Sequence, residues 1–136
     1  MAALTADRNT PKQAAQQIAV AVATNVKIFA GSLVVANASG FAAPGSVATT
    51  LTALGRAAET VDNTGGANGA KTVRIDRKDA FKFANHAADL VVQADLGKTC
   101  YIVDDQTVAK TNGGATRSAA GKVVGIDSDG VWVEIV

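Results

Sequence analysis

The residues of this 136-residue chain that are best suited to chemistry are few and scattered. Cys100 is the only cysteine and His86 the only histidine. A thiol beside an imidazole is the start of a nucleophilic pair, because the base takes the proton and the thiolate attacks. The surroundings of these two argue otherwise. Cys100 lies in the apolar run Thr99 to Val103, where a small buried thiol is ordinary packing. His86 lies in a polar turn, and no G-x-S-x-G nucleophile turn is present. One His and one Cys fall short of the three or four ligands of a metal site, and a lone cysteine makes no intrachain disulfide. Gly97-Lys98-Thr99 matches the end of a phosphate-binding loop, but Val92 stands where that loop needs its first glycine, and a strand follows where it needs a helix. Asp127, Asp129 and Gly130 imitate part of a calcium loop, yet Gly125 and Val136 occupy the places of its first Asp and last Glu. Asp104-Asp105 is a carboxylate pair whose members would point to opposite faces of a strand; adjacent Asp side chains cap turns by bonding local backbone. An enzyme or ligand-binding module built on His86, Cys100 and nearby Asp residues would need a deep polar pocket gathering them. The residue pattern gives no catalytic, cofactor-binding or metal-binding residue.

The element that carries most of these residues is Leu96 to Val108. Leu96-Gly97 turns the chain, Thr99 to Val103 runs as a strand, Asp104-Asp105 ends it, and Gln106 to Ala109 returns. Cys100 and Ile102 share one face; Thr99, Tyr101 and Val103 share the other. Both faces are mainly apolar, so the strand reads as central and covered on both sides.

Composition sets the outer limits. The length suits one domain able to bury roughly two-thirds of its unfolded surface. Hydrophobic residues make up 48% but aromatics only 4%, with Ala and Gly supplying much of the apolar count. A core of small side chains buries little area, so stability is expected to be shared with neighbours through self-assembly or a larger surface. Thirteen basic and 12 acidic residues leave a net charge of +1, without the basic excess that non-specific nucleic-acid binding needs. Lys71, Arg74, Arg77, Lys78 and Lys82 form a basic stripe that Asp76 and Asp79 dilute, and it reads as a solvated strand face. No signal-type apolar segment opens the sequence, and no run of about 18 apolar residues would span a membrane.

Along the chain, residues 1–17 read as an extended N-terminal arm and 18–136 as a β-rich domain. Thr10 before Pro11 is pushed toward extended backbone, and about twelve extended residues reach about 40 Å. Ile18 to Ala23 alternates large residues with Ala, as a half-buried strand does. Val26 to Phe29 continues, and Leu33 to Ala36 with Phe41 to Ala43 forms a hairpin about the turn Asn37-Ala38-Ser39-Gly40. Leu51 to Ala58 is a strand; Val61 to Ala70, rich in Gly, Asn and Asp, is an exposed mobile loop. Thr72 to Arg77 and the Phe81-Lys82-Phe83 stretch alternate. A short helix is expected around Leu90 to Ala94, stopped by Gly97. Gly121 to Asp127 and Val131 to Val136 form a closing hairpin through Ser128-Asp129-Gly130. Leu54-Gly55-Arg56-Ala57 echoes Ala120-Gly121-Lys122-Val123, too briefly for a repeat. The fold class is therefore mainly β: a small single-domain barrel or sandwich with a short helix and an extended arm.

D-L-G-K-T-C-Y-I-V-D-D-Q-T-V (95–108) and T-R-S-A-A-G-K-V-V-G-I-D-S-D-G-V-W-V-E-I (116–135), in that order, resemble phage capsid cement proteins, the head decoration proteins of Mu-like tailed phages and prophages. L-G-R-A-A-E-T-V-D (54–62), F-K-F-A-N (81–85) and the opening M-A-A-L-T-A-D-R-N-T-P fit the same pattern. The resemblance implies a β-rich, non-enzymatic virion protein made in the host bacterial cytoplasm. It would bind the outside of the shell, with the major capsid protein and copies of itself, commonly as a homotrimer, for partners, and neither nucleic acid nor membrane. It carries over no binding motif position by position. Thr5, Arg8, Asn9 and Lys12 of the arm are inferred as the residues that touch the major capsid protein or a neighbouring copy. A tail or head–tail adaptor component is the other virion reading, since it too needs a β body and an arm.

Overall fold

Leu33, Val34 and Val35 are consecutive, and each is fully buried. Successive side chains on a strand point to opposite faces, so a strand with no exposed face lies between two cores. It does so in the computed structural model, which describes residues 2–136. Leu33 and Val35 pack with Phe81, Phe83, Ile102, Val108, Val131 and Val133. Val34 packs the other way, with Val22, Ile28, Val73 and Ile75.

The strands around these two cores form two five-stranded sheets, and the strand Leu33–Ala36 contributes to both cores. The first five-stranded sheet is built from β1 (Gln17–Ala21), β3 (Leu33–Ala36), β4 (Ala42–Pro44), β5 (Thr52–Ala57) and β7 (Thr72–Asp76), in the order β1-β7-β5-β3-β4. It stays open along its edges except for one bridge, Val22 to Ala42, where Ala23 N–H donates to the Ala42 carbonyl at 2.9 Å. The second is a closed barrel of β8 (Asp79–Asn85), β9 (Thr99–Ile102), β10 (Thr107–Ala109), β11 (Ala119–Asp127) and β12 (Gly130–Ile135). A parallel β8–β10 pairing completes its ring. A small pair, β2 (Lys27–Ile28) with β6 (Val61–Asp62), lies beside them. The fold is thus mainly β, a small single domain containing a closed five-stranded barrel.

The brief sequence echo has a structural counterpart. Val34 pairs with Gly55 and Val35 with Ala53, so Leu54 is the extra residue of a bulge. Tyr101 pairs with Ala119 and Cys100 with Gly121, so Ala120 is likewise extra. In both places a Cβ on the following glycine would run into a carbonyl of the next strand, that of Asp76 beside Gly55 and that of Glu134 beside Gly121. A bulge bends and twists its strand, and the glycine lets the neighbouring backbone come close.

Three expectations change. The short helix around Leu90 to Ala94 is a single 3-10 turn at Gln93–Asp95. Asn85 explains this: its side-chain amide donates to the Val91 carbonyl at 2.8 Å and its oxygen accepts the Val91 N–H at 2.9 Å. Asp95 accepts the Val92 N–H, so the backbone groups a helix would use are taken. Val91 turns into the barrel core instead. The strand covered on both faces is β3 rather than β9. Cys100 and Ile102 of β9 are buried, but Thr99 is exposed and Tyr101 half-buried on the outer face. The Gly- and Asn-rich segment 61–70 is exposed but tied down. It begins as β6, and Asn63, only 2% exposed, donates to the carbonyls of Ala23 and Ala67. Asn25 and Asn68 side chains accept the N–H groups of Gly65 and Thr24.

Candidate functional site

The arm residues singled out by the sequence lie apart from the body. Residues 2–14 are all exposed and contain neither helix nor strand. Thr5, Arg8, Asn9 and Lys12 are among them; Met1 lies outside the described residues. Arg8 Nη1 donates to Thr10 Oγ1 at 3.1 Å, and Thr10 N–H to the Arg8 carbonyl at 3.0 Å, a local fold-back before Pro11. The first backbone tie to the body is Arg77 N–H to the Gln16 carbonyl at 2.8 Å. From there Gln17 Nε2 donates to Asp76 Oδ1, and β1 pairs with β7.

The reactive side chains are separated. The Cys100 thiol faces the barrel core and contacts the Gly121 carbonyl at 3.6 Å. Burial pushes its pKa up to about 12, so it stays a thiol at neutral pH. His86 is half-buried at the end of β8, where its backbone N–H donates to the Val108 carbonyl. No hydrogen bond joins it to Cys100 among the described residues. Gly97, with φ +82°, turns the chain into β9, and Lys98 N–H donates to the Asp95 carbonyl. The two aspartates of the imitation calcium loop are spoken for. Asp127 accepts the Trp132 indole N–H at 2.9 Å, and Asp129 accepts Lys82 Nζ at 2.9 Å. That Lys82 contact holds the Asp129 carboxyl below its ordinary value. No group of three or more His, Cys, Asp or Glu side chains stands together as a metal site among the described residues.

Two of the five cations of the basic stripe, Arg74 and Lys82, are paired with carboxylates. Arg74 pairs with Glu59 at 3.0 Å, Lys71 donates to the Asp62 carbonyl, and Lys82 is held by Asp129. No described helix is long and apolar enough to cross a membrane.

One feature escaped the sequence reading. Where the first sheet meets the barrel, Phe29, Ala30, Gly31, Ser32, Asp105 and Gln106 line an open pocket of about 400 Å³. Its walls are two turns fastened by Leu33 N–H to the Asp105 carbonyl at 2.8 Å. The Ser32 hydroxyl is buried there without a partner. Asp105 is legible in the sequence as a turn residue; that it faces Phe29 and Ser32, some seventy positions earlier, is decided by the packing of the two sheets. No protein-family model, curated protein or solved structure matches the chain.

Proposed function

We propose that the chain is a capsid cement protein, bound to the outer surface of a phage shell and stabilising contacts between major capsid protein subunits. The observation that carries this reading is the pairing of a packed β body with an exposed arm, residues 2–14, that the body does not use. Ordering such a segment costs conformational entropy, and contacts made outside the chain offset that cost. The order of segments at 95–108 and 116–135, which resembles the cement family, supports the same reading.

The mechanism is mechanical. A copy that binds only the assembled shell and spans adjacent subunits adds its binding free energy to the shell by mass action. Two contacts from one copy, body and arm, raise the effective concentration of each for its site. Self-association as a homotrimer would place three arms around one position. No bond is made or broken, and no cofactor takes part.

Deleting residues 2–12 and measuring occupancy on purified particles tests the arm. Occupancy is expected to fall; unchanged occupancy rules the arm out. Counting copies per particle separates the two virion readings, since hundreds favour cement and six or twelve favour a tail or connector part.

A further inference from the structure

We propose that the pocket at the seam between the sheet and the barrel is a carbohydrate-binding site. It takes one pyranose ring of a glycan, stacked on Phe29 and hydrogen-bonded by Asp105, Gln106 and Ser32. Such a site belongs to the chain itself and does not depend on shell binding.

Four side chains define the chemistry. Phe29 is 54% exposed, so part of its ring is open to a ligand. The Lys27 ammonium stands over its ring, 4.9 Å from the centroid, which steadies the ring and takes one face. Ser32 is only 6% exposed, and its hydroxyl lacks a hydrogen-bond partner. In the opposite wall, Asp104 Oδ1 accepts the Gln106 N–H at 2.9 Å, a turn-internal bond that leaves the Asp105 carboxylate and the Gln106 amide unpartnered among the described residues. A half-exposed aromatic face thus sits with a carboxylate, an amide and a buried hydroxyl, all with unused hydrogen-bonding capacity.

A sugar ring answers each part. Its C–H face carries slight positive charge and is drawn to the negative face of an aromatic ring. Its hydroxyls donate to a carboxylate and both donate to and accept from an amide or a hydroxyl. Other ligand classes leave something unmet. A free anion meets the Asp105 carboxylate, and Lys27, held on the Phe29 ring, does not line the pocket. A cation meets the Lys27 ammonium already on the ring. A purely apolar ligand removes water from Asp105 and Gln106 without giving them partners, and leaves the Ser32 hydroxyl unsatisfied.

The walls are set before any ligand arrives. Ser32 N–H donates to the Phe29 carbonyl at 3.1 Å, closing a turn that Gly31 completes at φ +86°. Ala30 N–H donates to Thr60 Oγ1, and Ala57 N–H to the Ser32 carbonyl. Backbone fixed in this way lowers the ordering cost of binding. The other exposed aromatic makes the contrast. Trp132 has its N–H taken by Asp127 and Lys82 over its ring, and no unpartnered group beside it aims at a ligand.

The test is a titration of the full, isotope-labelled chain with methyl glycosides of glucose, galactose, mannose and N-acetylglucosamine, read by amide chemical shifts. Glycerol serves as a hydroxyl-rich compound without a ring. At least one glycoside is expected to shift the amides of Gly31, Ser32, Asp105 and Gln106 saturably. Phe29→Ala and Asp105→Asn should each weaken that binding about tenfold, the equivalent of losing one good contact. Trp132→Ala should leave it unchanged. Phe29 and Asp105 contribute exposed or partly exposed side chains, and the spectrum of each variant reports whether the fold persists. The proposal is overturned if no glycoside moves those amides, if glycerol moves them equally, or if both pocket variants bind as the parent does.

Discussion

The open sheet and the closed barrel each have five strands and a bulge whose following glycine is crowded by a carbonyl, the barrel carrying a second bulge at Val124, yet they are held in different ways. In the barrel every strand pairs on both sides, and the interior is filled by Phe81, Phe83, Ile102, Val108, Val131 and Val133. In the sheet the ring stops at one bridge, and polar side chains do much of the fastening. Asn63 ties its loop to Ala23, and Asp76 joins Gln17 of β1 to Arg56 of β5. A closed ladder leaves no strand free to yield, whereas an open one can swing its edge. The barrel is therefore expected to be the rigid half, and the sheet, which carries the arm, the adjustable half.

The glycine pair gives the sharpest test. Gly121→Ala forces a Cβ against the Glu134 carbonyl inside the closed ring and is expected to cost about 3 kcal/mol or more, in the range of severe overpacking. Gly55→Ala meets the Asp76 carbonyl, but β7 lies between β5 and the edge strand β1, so it can shift outward with that edge. Its cost should be smaller, even though φ is +152° there. Denaturant unfolding of the two variants checks this; equal costs would mean that the open sheet is as unyielding as the barrel.

Asn63→Ala comes next. It leaves the Ala23 and Ala67 carbonyls without a buried donor, a loss of about 2 kcal/mol. Hydrogen exchange should quicken across residues 61–70 and 23–26 while barrel amides stay protected. Faster exchange throughout would show that the two halves open together.

The smallest effect is on pH dependence. Hydrogen bonds from Gln17, then from Arg56, hold the Asp76 carboxyl below its ordinary value of 3.8. A carboxyl lowered in the folded state stabilises it fully above the unfolded value, and the contribution fades as pH falls below 3.8 toward the folded value. Thermal unfolding of Asp76→Asn should show lower stability than the parent at pH 7. The gap should narrow on acidification; a constant gap would assign the loss to packing rather than charge.

Much of the strand pattern is legible in local chemistry. Leu33 to Ala36 follows as a short apolar run bounded by turn residues, and the amphipathic Val73 and Ile75 and the hairpin of Gly121 to Asp127 with Val131 to Val136 follow from alternation and turn residues, because side-chain direction repeats every two positions. The exposed arm follows equally from its polar, Pro-containing composition. The missing helix does not, because the Asn85 amide that captures Val91 competes from outside the helical window.

Local sequence determined where the chain extends and where it turns, since those preferences reside in neighbouring residues. Only tertiary structure decided that β3 serves two cores, that one ring closes and the other stops at a single bridge, and that Phe29 and Ser32 face Asp105 across the seam. The physical reason is that strand pairing and sheet packing join residues distant in sequence, and no run of neighbours encodes which distant strand will supply the partner.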